Sequence, residues 1–540
     1  MFFQISGALA LAGAGGAAWM YFGGHRFNAT GTAPISPYPF DPIRPENFQQ
    51  RLFIPGGSGP FGVLDVAGPL QIRATAASFP ILNGQVSPFL LYQTEQAGKA
   101  YQNPILRMES GSRFQATLHN ALPEPTIIHW HGLHTPAAMD GHPANTIGPG
   151  GRYDYDFTVR NRGGTYWYHT HAHQLTARQA YNGLASFFLV EDEDQRRLNK
   201  ALDLRLGETD VPVVIQDKQF DAAGRLRYQP NMQESMMGWL GDVILANLTP
   251  NAYLTVTPRV YRFRLLNGSN ARIYRLAFVK GRTPLNFTVI GTDGGLLDQA
   301  QTVSETYLAP GERLDVLFDA GQAQPGEDVF LRSLAFDPME NEGSAGHMGG
   351  MGGMGGMGGM SSSRLPLGAE FNILKLPVAQ GERLTTPLPA KLSEIRTIPA
   401  EGVPERKIEL SMADMRFLIN GRSFRMDEIS FEVKRAGVEI WSISNPALGM
   451  PHPMHIHGFS CQVVERLNSP PQVSANARFG RGRTVSDLGW KDTVLVWPGE
   501  TVKIAVDFTH DFTGSQTYLL HCHNLEHEDA GMMVNFRVNT

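Results

Sequence analysis

Short apolar runs separated by turn residues recur along the chain from about Leu52 to its end. Runs of this kind occur at residues 69–73, 187–190, 211–215 and 260–266. Their length and their glycine, proline and polar boundaries predict β-strands. No long stretch repeats apolar residues at helical spacing, so we expect an all-β protein built from sandwich or barrel domains.

The strand pattern predicts about three domains of similar size, which agrees with a length of 540 residues. We place them at residues 51–193, 194–395 and 396–540. Residues 28–50 are rich in proline and polar residues and predict a linker. The uncharged, Ala/Gly-rich segment 1–27 predicts either an export signal or an N-terminal anchor.

Charge and cysteine content exclude several classes of protein. The net charge is −5, which favours neither nucleic acid nor an anionic membrane as a partner. Cys461 and Cys522 are the only cysteines, so no disulfide framework exists. Cys461 lies in a strand-like run, where we expect an inert buried thiol.

The segment 518–533 carries the densest chemistry of the chain. Apolar residues lead into His521-Cys522-His523, and side chains alternate across a strand. The two histidines therefore face one side and Cys522 the other, so that one tripeptide can serve two metal centres. His527 and Met532 follow, and thiolate, imidazole and thioether together favour an electron-transfer copper site. A zinc site or a histidine-rich strand end are the alternatives.

Eight of the 17 histidines fall in His-X-His pairs. On a strand, each pair projects both rings to one face. Two pairs lie near each end of the chain, which predicts one cluster between the first and last domains. The pairs are His129/His131, His169/His171, His455/His457 and His521/His523.

A glycine-rich segment at 347–360 carries methionine at every third position. The five methionines are Met348, Met351, Met354, Met357 and Met360. Glycine at this density does not fold alone, so we expect a long loop within the second domain. Because thioether sulfur is a soft ligand that selects Cu(I), the loop is a candidate for metal capture. A passive linker is the alternative.

The histidine motifs resemble those of three-domain multicopper oxidases of the bacterial laccase and copper-efflux-oxidase type. They are HWHG at 129–132, YWYHTH at 166–171, HPMHIHG at 452–458 and the segment 521–532. The resemblance covers roughly residues 50–540. It implies three cupredoxin-like Greek-key domains and four copper ions: one type 1, one type 2 and a type 3 pair.

The resemblance also implies a copper ligand set. Type 1 copper would be held by His452, Cys522, His527 and axial Met532, and type 2 copper by His129 and His455. The type 3 pair would be held by His131, His169, His171, His457, His521 and His523.

The same resemblance implies that O2 is reduced to water, a reaction that needs four protons. Asp140 and Glu528 match acids to which relatives assign proton delivery. A solvated surface carboxylate is the alternative for each. The reducing substrate could be Cu(I), Fe(II), Mn(II) or a phenol, and Met450 is a further candidate for binding substrate metal.

Two other functions remain open at this point. A copper-storage or chaperone protein would use the methionine segment, and a structural member of the family would keep the fold without copper. We expect a monomer located in the periplasm or outside the cell. The start Met1-Phe2-Phe3-Gln4 resembles the end of a twin-arginine signal, which predicts an Arg-Arg pair just upstream. A membrane partner is expected only if residues 1–27 are uncleaved.

Overall fold

The computed structural model describes residues 47–82, 85–340, 362–385, 387–447 and 449–540. The predicted signal or anchor, most of the predicted linker and the methionine segment lie outside these ranges. Within them, strands assemble into six sheets, which confirms the all-β fold. The α-helices of this part of the chain are short: α1 (Thr176–Tyr181), α2 (Glu193–Leu202), α3 (Met232–Met237), α4 (Pro471–Ser474) and α5 (Leu525–Asp529).

The first pair of sheets is built from residues 59–191. One sheet has the order β10-β8-β4-β5-β6-β2, and the other β3-β7-β12-β11-β9. The strands are β2 (Gly59–Pro60), β3 (Val63–Asp65), β4 (Leu70–Leu82), β5 (Gln85–Gln96), β6 (Lys99–Gln102), β7 (Ile105–Glu109), β8 (Arg113–Asn120), β9 (Ile128–His129), β10 (Arg152–Thr158), β11 (Gly164–Thr170) and β12 (Ala185–Glu191).

The second pair of sheets is built mainly from residues 210–377. One sheet has the order β16-β15-β13-β18-β24-β21-β22 with β14 on β13, and the other β1-β17-β26-β25-β19-β20 with β23 on β19. The strands are β1 (Gln50–Arg51), β13 (Asp210–Phe220), β14 (Leu226–Arg227), β15 (Val243–Ala246), β16 (Thr249–Pro250), β17 (Ala252–Tyr253), β18 (Val260–Asn267), β19 (Tyr274–Lys280), β20 (Thr283–Leu285), β21 (Phe287–Thr292), β22 (Gly295–Val303), β23 (Thr306–Leu308), β24 (Arg313–Asp319), β25 (Asp328–Ser333) and β26 (Phe371–Pro377).

The third pair of sheets is built from residues 405–539. Its sheets have the orders β28-β27-β30-β34-β32 and β29-β36-β35-β31-β33. The strands are β27 (Glu405–Ala413), β28 (Arg416–Ile419), β29 (Ile429–Lys434), β30 (Val438–Ser444), β31 (His452–Ile456), β32 (Cys461–Leu467), β33 (Thr493–Val496), β34 (Thr501–Asp507), β35 (Gln516–Cys522) and β36 (Met533–Asn539).

Each sheet pair encloses its own apolar core, as expected for a sandwich whose inward positions alternate along the strands. Strands far apart in sequence pair in parallel, for example β4 with β8 and β29 with β36. Such crossings are typical of Greek-key connections and exclude a simple meander. The domain boundaries at 193/194 and 395/396 remain predictions.

The strand β1 departs from the predicted linker. Gln50 and Arg51 pair in parallel with Ala252 and Tyr253, and Leu52 is buried in the core of the second sheet pair. Residues 50–52 therefore belong to the second pair of sheets, although they precede the first pair in the sequence. Among the helices of the described residues, none is long and apolar enough to span a bilayer.

Candidate metal centre

The four His-X-His pairs lie at the ends of neighbouring strands. His129 in β9 is opposite His169 in β11, and His455 in β31 is opposite His521 in β35. Two of the His-X-His motifs thus come from the first two sheets of the chain, and the other two come from the third pair of sheets. The histidines of the two domains are in direct contact, because the ring of His129 stacks on the ring of His457 with 3.8 Å between the ring centres. All eight histidines are buried, and the structure brings them into one cluster.

The ring nitrogens that face the interior of the cluster fall into three groups. Nε2 of His129 lies 3.3 Å from Nε2 of His455. Nδ1 of His131 lies 3.4 Å from Nε2 of His169, and the ring of His523 is 5.0 Å from that of His131. In the third group, Nε2 of His521 is 3.4 Å from that of His171 and 3.0 Å from that of His457.

The opposite ring nitrogens are held by the protein. A backbone carbonyl can only accept, so a ring nitrogen bonded to it carries the proton, and its other nitrogen keeps a lone pair for metal. Four Nδ1 atoms donate in this way: His129 to Asp140 (2.7 Å), His169 to Thr170 (2.8 Å), His455 to Asp492 (2.8 Å) and His521 to Cys522 (3.0 Å).

Two buried carboxylates orient two further rings. His457 donates from Nδ1 to Asp140 at 2.7 Å, and His131 donates from Nε2 to Asp492 at 3.0 Å. His131 is therefore turned the other way round, with Nδ1 facing the cluster. Although burial alone would raise it, Arg313 and His131 hold the pKa of Asp492 well below its usual range. The sequence did not single out Asp492; its one signal is a charged pair, Lys491-Asp492, directly before the apolar strand β33.

The two predicted proton-delivery acids both lie against the cluster. Asp140 is 0% exposed and Glu528 is 1% exposed, so neither is a solvated surface carboxylate. The Glu528 carboxyl oxygens lie 3.4 Å from His171 Nδ1 and 3.3 Å from His521 Nδ1. Burial raises the pKa of both acids well above the ordinary range. Each can therefore hold a proton at a pH where an exposed carboxyl group cannot.

A second site lies on the other face of β35. Cys522 Sγ is 3.5 Å from His452 Nδ1 and 3.6 Å from His527 Nδ1, and the two nitrogens are 3.3 Å apart. Met532 is fully buried in the same apolar cluster as Cys522. Its backbone N–H donates to His527 (2.9 Å), and its carbonyl accepts from Cys522 (3.0 Å). The alternation predicted for His521-Cys522-His523 therefore places two donor sets back to back.

Neighbouring groups fix the rings and the sulfur of this second site. His527 donates from Nε2 to the Met236 carbonyl at 3.0 Å, which leaves Nδ1 free to ligate. Phe417 stacks on the same ring at 4.0 Å. Burial raises the pKa of the Cys522 thiol, and the Asn524 backbone N–H, which donates to Sγ at 3.4 Å, opposes this shift. The Met236 carbonyl and the Phe417 ring were not predicted, because nothing local in the sequence marks either contact.

The donor chemistry of both sites fits copper. One thiol, two imidazoles and a thioether form the soft set of a blue-copper site, and imidazole rings suit copper at the cluster. Burial lowers the pKa of His452 and of His169 to about 3, so these rings are neutral and able to ligate.

The methionines predicted to bind substrate metal are only partly described. Met450 is 9% exposed, and its backbone carbonyl accepts from Asn445. The five methionines of 347–360 lie outside the described residues.

Comparison with known proteins agrees with this chemistry. Multicopper oxidase family models match residues 395–540 and 93–195. Multicopper oxidase mco of Staphylococcus haemolyticus is 32% identical over 438 residues, which is 81% of each chain. Cell division protein FtsP of Photorhabdus laumondii is 31% identical over 452 residues, covering 81% of this chain and 84% of that protein.

A solved structure shows the same architecture. The McoA multicopper oxidase of Aquifex aeolicus has 39% sequence identity and a TM-score of 0.79, over 91% of this chain and 100% of that one. Sequence identity at this level over nearly the whole chain, together with the buried donor sets, establishes family membership. The chain belongs to the multicopper oxidase family.

Proposed function

We propose that this copper-dependent oxidase accepts single electrons from a substrate at the His452–Cys522–His527 site and passes them to the eight-histidine cluster, where O2 becomes water. The observation that carries the proposal is the position of Cys522. Its sulfur belongs to the first site, while its chain neighbours His521 and His523 belong to the second. Bound copper would supply one-electron acceptance at the first site and reduction of O2 at the cluster.

The donor groups support four copper positions. We assign the type 1 position to His452, Cys522, His527 and Met532, and the type 2 position to His129 and His455. We assign the type 3 pair to His131, His169 and His523 at one ion and to His171, His457 and His521 at the other. The short nitrogen–nitrogen distances within these groups, and the ring of His523 beside that of His131, support this division.

The chain itself joins the two sites by a short path. Covalent bonds run from Cys522 to His521 and His523. In addition, the Cys522 carbonyl accepts from His521 Nδ1 at 3.0 Å, which bridges the two residues by a hydrogen bond. Burial of both sites keeps water away from them. Protons must therefore arrive through groups such as Asp140 and Glu528, which contact the cluster histidines.

The two cysteines provide a direct test of this proposal. Cys522→Ser removes the thiolate, so we expect the blue colour and the oxidase activity to disappear while the melting temperature stays close to that of the parent. Cys461 is equally buried but lies in β32 and belongs to neither proposed ligand set. Cys461→Ser is therefore the matched control and keeps colour and turnover. A blue, active Cys522→Ser protein would refute the assignment.

For the reducing substrate we propose Cu(I) or another low-valent metal ion, with phenols as alternative donors. Among the proposed type 1 ligands, His452 is the most exposed at 5%, so electrons enter at its edge. Ser362 is the first described residue after the segment 347–360. Its hydroxyl donates to Glu234 of α3 at 2.5 Å. Helix α3 also supplies the Met236 carbonyl that holds His527. Ser362 is therefore bonded to the helix that contacts a proposed type 1 ligand, which supports a role of the preceding segment in substrate capture.

Replacing all five methionines of 347–360 by serine tests the choice of substrate. Thioethers bind Cu(I) and offer little to a phenol. Several weak sites on one tether raise the local Cu(I) concentration. We therefore expect a clear fall in kcat/KM for Cu(I) with phenol oxidation unchanged or faster. Equal Cu(I) oxidation by the serine variant would make the segment a linker and favour a general laccase-like oxidase.

Two rival functions give different results in the same assays. A copper-storage or chaperone protein would bind copper without steady-state O2 uptake. A structural role would need no copper at all, and one relative carries the name cell division protein. The buried donor sets favour the oxidase, because a structural role gives no reason for twelve buried side chains of copper-ligand type. Sustained O2 uptake with many turnovers per chain separates the oxidase from both rivals.

A further inference from the structure

We propose that Arg313 is a positioning residue for the cluster: it orients His131 through Asp492. The inference rests on the proposed function, because it concerns one of the proposed type 3 ligands. None of the proposed ligands comes from residues 194–395, yet Arg313 at the start of β24 lies within this section. The middle section therefore contributes to the copper cluster without ligating it.

The guanidinium of Arg313 is fully buried, and all five of its N–H groups find acceptors. Nε donates to the Thr165 carbonyl (3.1 Å), and Nη1 donates to the Gly311 carbonyl (2.8 Å). Nη2 donates to the Asp293 carbonyl (3.1 Å). The remaining two N–H groups form a fork on the two carboxylate oxygens of Asp492, with 2.8 Å at Oδ1. This leaves the guanidinium a single orientation.

Asp492 transmits that orientation to the copper cluster. Its Oδ1 accepts from His131 Nε2 at 3.0 Å, and the Thr493 hydroxyl donates to the same oxygen at 2.9 Å. The ring of His131 is thereby turned so that Nδ1 faces His169 at 3.4 Å. A carboxylate without Arg313 could rotate about its own side chain. A carboxylate clamped at both oxygens holds the acceptor for His131 in one place.

The residues around Arg313 and Asp492 leave room for this ion pair and hold it in place. Gly132 has a φ of +85°, and a Cβ atom there would lie 2.5 Å from Asp492 Oδ2 and 2.8 Å from Arg313 Nη2. On the other side, Asp293 accepts from the Arg313 backbone N–H at 2.8 Å. Lys491 bonds to Asp293 at 2.9 Å. Residues from all three sections of the chain therefore fix the clamp.

Arginine is needed here for its geometry as well as its charge. A planar guanidinium matches both carboxylate oxygens, whereas a lysine ammonium is a point charge on a flexible stem. Arg313→Lys keeps the charge and removes the fork. Asp492→Asn keeps the shape and removes the charge that the fork binds. Both changes loosen the acceptor of His131 while leaving every proposed ligand in place.

The chain offers matched controls in a second buried pair. Arg264 is 1% exposed and binds Asp210 through Nε at 2.8 Å and Nη2 at 2.7 Å. Arg264 also donates from Nη1 to the Thr165 hydroxyl at 3.4 Å, which is not a proposed ligand. Arg264→Lys and Asp210→Asn therefore carry the same loss of a buried fork, without the connection to His131.

The experiment compares the four variants as copper-loaded proteins. We measure copper per chain during titration with a chelator, the blue absorption, kcat and KM with a reducing substrate, and the melting temperature with and without copper. For Arg313→Lys and Asp492→Asn we expect loss of cluster copper at about tenfold lower chelator than in the controls, and a similar fall in kcat. The blue absorption and KM stay at the parental values, because the His452–Cys522–His527 site is untouched.

Copper retention and kcat equal to those of the Arg264 and Asp210 controls would overturn the inference. So would loss of the blue absorption in step with the cluster copper, since that result indicates general unfolding. If Arg313→Lys does not fold, the isosteric Asp492→Asn decides by the same criteria. The proposed function fails separately, when the parent protein itself holds no cluster copper or consumes no O2.

Discussion

At the proposed copper sites, some residues are ligands and others orient those ligands by hydrogen bonds. Each cluster histidine that bonds to a carbonyl or a carboxylate keeps its other nitrogen for metal. The histidines themselves were predictable, because the alternation of a strand fixes which side chains share a face. Asp492 was not, since its role depends on a contact with His131 across 361 positions of the chain. Asp140 and Glu528 were identified as candidates, and only the fold shows that both are buried.

Asp140 and Glu528 should respond differently to neutralisation. Asp140 accepts from His457 at 2.7 Å, so Asp140→Asn is expected to lower both copper retention and kcat. The carboxyl oxygens of Glu528 approach the Nδ1 atoms of His171 and His521 only at 3.4 and 3.3 Å, which is longer than the bond of Asp140 to His457. Glu528→Gln is therefore expected to retain copper and lower kcat by about 100-fold, as for loss of a general acid. Copper analysis and steady-state kinetics check both results.

A control for this pair is the neighbouring acid Asp529. It caps helix α1 by accepting from the Thr176 and Ala177 backbone N–H groups at 3.0 and 2.9 Å. Asp529→Asn should lower stability by about 1 kcal/mol through the lost cap and leave kcat in place. If Glu528→Gln turns over as fast as Asp529→Asn, proton delivery by Glu528 is excluded.

Secondary-structure elements deliver the site residues at their ends. β9, β11, β31 and β35 all reach the cluster. The sequence predicted the strand end at His521-Cys522-His523, and for the other three strands it offered only the His-X-His spacing. Strand pairing over long distances was not predictable. β1 pairs with β17, about 200 residues later, and no local signal marks that register. The same holds for helix α3, whose Met236 carbonyl bonds to a ring 291 positions away.

Strand β13 carries an unusual buried lysine. Lys218 is 1% exposed; its ammonium donates to the Tyr181 carbonyl and lies 4.0 Å from the Tyr181 ring centre. Burial lowers its pKa from 10.5 to about 7, against the opposing charges of Asp217 and Glu526. The charged form is therefore disfavoured in the folded state by up to about 5 kcal/mol.

The resulting pH dependence has a definite sign. For a base whose pKa is lower in the folded state, the destabilisation is complete below pH 7 and disappears as the pH rises towards 10.5. Lys218→Met should therefore raise the melting temperature at pH 6 and lose this advantage towards pH 10. Lys491, which is bonded to Asp293 and Glu312, is the contrasting lysine, and Lys491→Met should destabilise at pH 6. A lower melting temperature for Lys218→Met at pH 6 contradicts this account.

At the scale of the whole molecule, the first and third sheet pairs supply the proposed ligands, and the second supports them. The count of His-X-His pairs near each end of the chain was enough to predict a shared cluster. The contribution of the middle section was not predictable, because Arg313 stands in an ordinary apolar strand sequence. Its importance depends on the carboxylate of Asp492, which only the folded chain brings beside it.

The central claim is that one chain couples single-electron oxidation to full reduction of O2. The most direct test is the amount of O2 consumed per electron donated, measured on copper-loaded protein with a one-electron reductant and a peroxide assay. The account predicts one O2 consumed for every four electrons, no released peroxide and four copper ions per chain. One O2 consumed for every two electrons, with peroxide released, would contradict it.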